Sequence, residues 1–226
     1  NTTVATGYGF VTFNFVATGT AVCSVSIIFL SYTSAGICTV NATKEGNDDY
    51  ANASSSAQNF TVNPGTQDTL LTLSQSVTFP TLFTALTTSG GNGSGDVTFA
   101  LTDSGTAGCS VSGTTLSYTT VGSCTVTATK AGDGNYTVAS SQPQTFTINK
   151  GTQNALLTVV QIVNFPNLFA ALTTTGGSGV GDVTFNLVAA GTAGCSVTGT
   201  TLSYTTAGNC TVTATKAADI NYYQIS

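Results

Sequence analysis

Six cysteines divide this chain into repeating segments. They lie at positions 23, 38, 109, 124, 195 and 210, so the two members of each pair are 15 residues apart and each pair follows the previous pair by 86 residues. A fixed period of this size is typical of an array built from one kind of domain. The fold must therefore be one that about 86 residues can form several times over.

The residues around the cysteines repeat with the same period. Residues 109–118 read Cys-Ser-Val-Ser-Gly-Thr-Thr-Leu-Ser-Tyr, and residues 195–204 differ from them only by Thr in place of the second Ser. Residues 38–44, 124–130 and 210–216 share the pattern Cys-Thr-Val-x-Ala-Thr-Lys. The period therefore belongs to whole segments and not to the cysteines alone.

The joints between repeats are predicted at Asn63–Gln67 and Asn149–Gln153. Cutting there gives residues 1–63, 64–149 and 150–226, which we call the first, middle and last repeats. Only the middle repeat spans a full period, so we expect the first to lack its initial strands and the last to lack its final strand. Either the chain is a window on a longer array, or it is a subunit whose open edges are completed by strands from neighbouring chains.

Within a repeat, apolar and polar side chains alternate. Val97, Phe99 and Leu101 share one face of their segment, as expected of a half-buried strand. Turn formers such as Ser89–Gly95 interrupt the chain every ten or so residues, and no segment has a helical apolar stripe. About seven short strands per period predict an all-β fold of tandem immunoglobulin-like Greek-key β-sandwich repeats. The Phe79–Pro80 and Phe165–Pro166 pairs predict a bend near the second strand.

Composition argues against several functional classes. Four Lys, no Arg and no His face nine acidic residues, so the chain lacks the cations that bind a nucleic acid backbone or an anionic membrane surface. No apolar run approaches the roughly 18 residues that span a bilayer, and we expect no membrane insertion. With no His to act as a base and with scattered carboxylates, we predict no catalytic residues, no cofactor and no enzyme.

The cysteine pairs are interpreted as disulfides. Six cysteines allow fifteen connectivities, but the repeat symmetry favours one bond within each repeat: Cys23–Cys38, Cys109–Cys124 and Cys195–Cys210. The alternative is a zinc site, yet each repeat supplies two cysteines and no histidine, so we predict no metal. Disulfides persist in oxidising surroundings, which predicts an extracellular or cell-surface location.

An acidic turn follows the Cys-Thr-Val strand in each repeat, at Lys44–Tyr50, Lys130–Tyr136 and Lys216–Tyr222. Asp and Asn oxygens are calcium ligands in other proteins. These turns lack the regular ligand spacing of a dedicated site, so we interpret them as Asx-type turns whose tyrosine ring packs back on the sandwich.

The first repeat departs from the other two at one segment. It reads Ile27-Ile-Phe29 where the middle repeat reads Gly113-Thr-Thr115, and it has Val22 in place of Gly108. Period-two alternation leaves at least one of these apolar side chains facing outward, unless the core is repacked locally. We predict a contact surface for a neighbouring subunit or chain, formed by Val22, Ile27, Ile28 and Phe29.

Residues 191–222 read Gly-Thr-Ala-Gly-Cys-Ser-Val-Thr-Gly-Thr-Thr-Leu-Ser-Tyr-Thr-Thr-Ala-Gly-Asn-Cys-Thr-Val-Thr-Ala-Thr-Lys-Ala-Ala-Asp-Ile-Asn-Tyr. This run resembles the Ig-like repeats of very large bacterial surface proteins and adhesins. The resemblance implies a secreted or surface-displayed structural array, such as an adhesin stalk or a filament, whose partners are other copies of itself or neighbouring repeats. The alternative is a carbohydrate- or cell-wall-binding module with surface glycans as partners.

Overall fold

The computed structural model of the protein describes residues 9–17, 19–72, 76–158 and 166–226. Residues 1–8 of the predicted first repeat and Phe165 of the second predicted bend lie outside this description. All the regular structure in the described ranges is β-strand. These ranges contain no helix, and hence none that could cross a membrane.

The strands are short, as the spacing of turn formers predicts. Those of the first repeat are β1 (Val11–Ala17), β2 (Cys23–Ser26), β3 (Phe29–Tyr32), β4 (Gly36–Lys44), β5 (Ala53–Ser54) and β6 (Gln58–Val62). Those of the middle repeat are β7 (Leu71–Thr72), β8 (Ser76–Thr78), β9 (Phe83–Ala85), β10 (Thr88–Ser89), β11 (Val97–Asp103), β12 (Ser110–Ser112), β13 (Thr115–Ser117), β14 (Gly122–Lys130), β15 (Ala139–Ser140) and β16 (Gln144–Asn149). Those of the last repeat are β17 (Leu156–Thr158), β18 (Phe169–Ala171), β19 (Thr174–Gly176), β20 (Val183–Ala189), β21 (Ser196–Thr198), β22 (Thr201–Ser203) and β23 (Thr211–Lys216).

The chain divides into two compact units. The first comprises residues 1–71, 88–98 and 128–142, and the second comprises residues 72–87, 99–127 and 143–226. The division passes through the middle repeat. Each unit therefore contains one of the two predicted joints.

Strand β4 is the centre of a four-stranded sheet in the first repeat. One side of β4 pairs with β1 in antiparallel register, with Phe13 opposite Ala42. The other side pairs with β6, where Cys38 lies opposite Phe60, and with the short β5. Strands β2 and β3 form a separate hairpin. Alternate residues of β4 are buried, which is the pattern that its sequence predicts.

The middle-repeat strands of the second unit form two layers. In one layer, β16 pairs with β14 in antiparallel register and with β8 in parallel register. In the other layer, β13 lies between β9 and β12. The two layers share a buried core of Leu86, Ala107, Cys109, Leu116, Tyr118, Cys124, Val126, Phe146 and Ile148. This arrangement is a β-sandwich, because apolar side chains of two sheets meet between them.

The last repeat has a smaller core and lies entirely in the second unit. Strand β20 pairs with β23, and β22 lies between β18 and β21. Its core cluster consists of Ala170, Ala193, Cys195 and Tyr204. Strand β20 begins at Val183, 86 residues after Val97 begins β11, so corresponding sequence positions form corresponding strands.

The first repeat leaves part of its core open. Phe146 on β16 is 0% exposed, whereas the corresponding Phe60 on β6 is 50% exposed. In the middle repeat, β8 pairs with β16 and β9 pairs with β13. In the part of the chain that the structure describes, β6 pairs only with β4, and β3 pairs only with β2. A groove of about 830 Å³ results, with Leu30, Val40 and Phe60 in its lining.

Phe146→Ala and Phe60→Ala form a matched test of this difference. We expect Phe146→Ala to lower the free energy of unfolding by about 3–5 kcal/mol, as for a fully buried ring. Phe60→Ala should cost less than half as much, since half of its ring is already exposed. Hydrogen exchange of the β14 and β4 amides measures the two losses separately. Equal losses would contradict the difference in burial.

Candidate assembly interfaces

The six cysteines form three disulfides, Cys23–Cys38, Cys109–Cys124 and Cys195–Cys210, and none is free. This is the pairing that the repeat spacing predicts. The paired Cα atoms lie 6.2, 6.2 and 6.1 Å apart. In the middle repeat the bond links the segment before β12 to β14, so it joins the two layers of the sandwich. The bond also closes the loop that contains the turn at Thr120–Gly122.

The acidic turns are Asx turns, as interpreted from the sequence. The Oδ1 atom of Asp133 accepts the N–H groups of Asn135 at 2.8 Å and Tyr136 at 2.9 Å, and its Oδ2 atom accepts the N–H of Ser94 at 2.6 Å. These N–H donors, that of Ser94 foremost, hold the pKa of Asp133 below its ordinary value. The carboxylate therefore organises its own loop. Across the described ranges, no group of three or more His, Cys, Asp or Glu side chains is placed to hold a metal ion.

The same turn occurs in the other two repeats. The Oδ1 atom of Asp219 accepts the N–H groups of Asn221 and Tyr222, each at 2.8 Å. In the first repeat the corresponding residue is Asn47, whose Oδ1 atom accepts the N–H of Tyr50 at 2.9 Å. We call the three four-residue segments the Asx loops: Asn47–Tyr50, Asp133–Tyr136 and Asp219–Tyr222.

The joint between the first and middle repeats is held by the middle Asx loop. The N–H of Gly65 donates to the carbonyl oxygen of Asn135 at 2.8 Å, and the N–H of Thr137 donates to the carbonyl oxygen of Gly65 at 2.9 Å. The side-chain oxygen of Asn135 accepts the N–H of Ala35, in a turn of the first repeat, at 2.7 Å. The linker and the preceding repeat are thus bound to one loop.

The joint between the middle and last repeats has the same contacts 86 residues later. Gly151 donates to the carbonyl oxygen of Asn221 and accepts the N–H of Tyr223, both at 2.9 Å. The side-chain oxygen of Asn221 accepts the N–H of Val121 at 3.0 Å and the hydroxyl of Thr120 at 2.8 Å. The turn that receives this side chain lies inside the disulfide-closed loop of the middle repeat.

Two glutamines and an aromatic pair support the joints. Gln67 and Gln153 each donate their amide N–H groups to two backbone carbonyls, those of Ala131 and Thr137 and those of Ala217 and Tyr223. The ring of Phe79, at the predicted bend, packs edge-on against that of Tyr222, with centroids 5.2 Å apart. A Cβ atom at Gly151 would lie 2.0 Å from the carbonyl oxygen of Phe79, so this linker position requires glycine.

The apolar residues that distinguish the first repeat are all on the surface. Val22, Ile27, Ile28 and Phe29 are 65%, 81%, 69% and 69% exposed. Ile27 has a φ angle of 52°, close to the 57° of Gly113 at the corresponding turn position. A β-branched residue is disfavoured in this left-handed region. The isoleucine at this turn is therefore both strained and exposed.

The residues that form the joints were not predicted from the sequence. The turns and the linkers were predicted, but no role was predicted for Asn135, Asn221, Gln67 or Gln153. The sequence does contain a pattern that marks these residues. Asp-x-Asn-Tyr recurs at 133–136 and 219–222, and Gly-Thr-Gln recurs at 65–67 and 151–153. These polar residues recur where a free surface would tolerate variation.

Comparisons with known proteins do not place the chain in a family. No family model matches it, and no curated protein matches it. Among solved structures, it aligns with the crystal structure of Drosophila N-cadherin EC1-4 at a TM-score of 0.32 and 9% identity. The alignment covers 98% of this chain and 66% of the cadherin chain, so the chain spans slightly less than two thirds of that chain's length. At this TM-score the likeness carries no argument about fold or function.

Ile27→Gly tests the strain at the exposed turn. Glycine removes the left-handed penalty of about 1–2 kcal/mol but costs about 0.5–1 kcal/mol through the larger entropy of the unfolded chain, so we expect a net gain in stability of up to about 1.5 kcal/mol. Denaturant unfolding measures the gain. Ile28→Gly is the matched control, since Ile28 has no positive φ angle and should give no gain. Equal gains from both substitutions would contradict the assignment of strain to Ile27.

Proposed function

We propose that the chain is a structural array of an extracellular bacterial surface protein and not an enzyme. Its tandem immunoglobulin-like domains, with a period of 86 residues, serve as an adhesin stalk or as a component of a fibre. The partners are neighbouring repeats of the same chain and other copies of it. No metal or cofactor takes part.

The recurrence of one joint at two places carries this proposal. In both joints a linker glycine pairs with an Asx loop, and an asparagine side chain binds a turn of the preceding repeat. A flexible linker between independent domains needs no such contacts. Repeated hydrogen bonds restrict each domain relative to the next, which is what a spacer or a fibre requires.

Chemistry supports the extracellular location. Three disulfides are stable only where thiols are not kept reduced, as outside the cell. A charged fraction of 6% and the near absence of cations fit a surface of hydroxyls and amides that does not bind nucleic acid.

The open groove of the first repeat supports assembly by strand addition. Its lining includes Leu30 and Phe60, whose counterparts Leu116 and Phe146 are fully buried in the middle repeat, where β9 pairs with β13 and β8 pairs with β16. Unpaired strand edges beside an apolar slot are completed by added strands in other β-proteins. Strands equivalent to β8 and β9, from the same polypeptide or from a neighbouring chain, complete this repeat.

Hydrogen exchange in Asn221→Ala tests the joint. The N–H of Val121 donates to the Asn221 side chain, so its exchange should be roughly tenfold faster in the variant, equivalent to about 1.4 kcal/mol. Asn209→Ala, which replaces an exposed asparagine outside both joints, should leave the rate unchanged. If Val121 and Gly151 exchange at unprotected rates in the wild-type chain, the repeats are not held together and the proposal is wrong.

A synthetic peptide of residues 76–86 tests strand addition. It contains β8 and β9, which cover the equivalent core in the middle repeat. We expect the peptide to protect the β6 and β3 amides from hydrogen exchange and to displace an apolar dye from the groove. A scrambled peptide of the same composition is the control. Equal effects from both peptides, or no protection of β6, would show that the groove does not accept strands.

A further inference from the structure

The loop before β11 contains the only asparagine of the chain that is followed by glycine, at Asn92-Gly93. An asparagine loses its side-chain amide most readily at such a pair, because glycine has no side chain to shield its backbone nitrogen and rotates freely. Gly93 has a φ angle of 74°, a conformation that other residues rarely adopt. The corresponding pair in the last repeat is Ser178-Gly179, which has no amide group to lose.

The backbone nitrogen of Gly93 is not held by a hydrogen bond. In the last repeat, the N–H of Gly179 donates to the Oε1 atom of Gln153 at 3.2 Å. Across the described ranges, the N–H of Gly93 has no acceptor, and the Oε1 atom of Gln67, the counterpart of Gln153, is buried without a partner. Gly93 is exposed and Asn92 is half-buried, so water and hydroxide reach the pair. The nitrogen is therefore free to react.

The same loop packs on the carboxylate that organises the middle Asx loop. The Oδ2 atom of Asp133 accepts the N–H of Ser94 at 2.6 Å, and a Cβ atom at Gly93 would clash with that oxygen. The Oδ1 atom of Asp133 accepts the N–H of Asn135, whose side chain in turn accepts the N–H of Ala35 in the first repeat. The loop is therefore linked through Asp133 to the joint between the first and middle repeats.

We propose that Asn92 is a site of spontaneous deamidation, which forms isoaspartate in this loop and loosens the joint between the first and middle repeats. The backbone nitrogen of Gly93 loses its proton and attacks Cγ of Asn92, and the side-chain nitrogen leaves as ammonia. Water then opens the resulting cyclic imide. Its addition at the side-chain carbonyl gives aspartate, and its addition at the backbone carbonyl gives isoaspartate. The reaction needs only water and this loop, so the inference goes beyond the proposed function.

Isoaspartate changes both the backbone and the charge of the loop. The chain then runs through the former side chain, so an additional carbon enters the backbone before Gly93 and displaces Ser94 from Asp133. The loop contacts a charge of each sign, because Lys130 donates its Nζ–H to the carbonyl oxygen of Gly95 at 3.0 Å. The added negative charge therefore meets attraction as well as repulsion. The change in the backbone, more than the charge, releases Asp133.

Storage of the intact chain at mildly alkaline pH, followed by peptide mapping and mass spectrometry, tests the reaction. We expect Asn92 to be converted at a rate proportional to the hydroxide concentration, while Asn149, which precedes lysine, keeps its amide. Asn92→Ser, which introduces the residue of the last repeat, should abolish the conversion. Storage continues until a synthetic peptide of residues 88–96 is converted. If Asn92 of the intact chain is then unchanged, or if Asn149 reacts equally, the inference is wrong.

Hydrogen exchange measures the effect on the joint. In the isoaspartate form, the N–H of Ala35 should exchange roughly tenfold faster than in the unmodified chain, as expected for the loss of one hydrogen bond. The N–H of Val121 at the other joint should be unchanged, and Asn92→Asp, which adds the charge alone, should affect Ala35 less. Equal acceleration at both joints, or none at Ala35, would contradict the link through Asp133. Unprotected Ala35 and Val121 in the unmodified chain would instead count against the proposed array and leave the deamidation itself standing.

Discussion

The bond between the two layers of each repeat is the interaction on which the rest depends. Cys124 lies on a central strand of one sheet, and Cys109 lies beside the hairpin of the other. Their bond closes a 15-residue loop, a constraint worth about 3 kcal/mol in chain-entropy terms. The Thr120–Gly122 turn is inside that loop, so the bond limits how far this turn can move from the core. The asparagine of the following repeat binds this turn, and the covalent constraint thereby extends to the joint.

The first and middle repeats show how one pattern yields two degrees of burial. Strands β6 and β16 have similar alternation, with Phe60 and Phe146 at the same position. Their exposure differs because the neighbours of these strands differ, not because their sequences do. The alternation of apolar residues along a strand predicts which face is buried. Whether that face is buried depends on a neighbouring strand that packs on it. The exposed run at Ile27–Phe29 adds further apolar surface to the same repeat.

Much of the fold follows from local pattern. Alternation in Val97–Leu101 predicts β11, and the cysteine period predicts the three bonds, because both depend on spacing along the chain. The joints are different in kind. Ala35 and Asn135 are separated by 100 residues, and a backbone N–H that binds an amide side chain has no sequence signature of its own. The exposure of Phe60 could not be predicted from the sequence either, since it depends on which strands lie beside it. Recurrence of Asp-x-Asn-Tyr marked the joint residues, but not what they touch.

The closed loops also bear on how the chain responds to tension. When a repeat unfolds under load, the residues between its two cysteines cannot lengthen. At about 3.3–3.6 Å per residue, a free segment of 15 residues would span roughly 50 Å, against the 6.2 Å between the bonded Cα atoms. The disulfide thus limits how far each repeat can extend once it is unfolded. This limit depends on the redox state of the surroundings, because a reductant breaks the bond. Reduction of the bond would increase the length that an unfolded repeat can reach, without cutting the polypeptide.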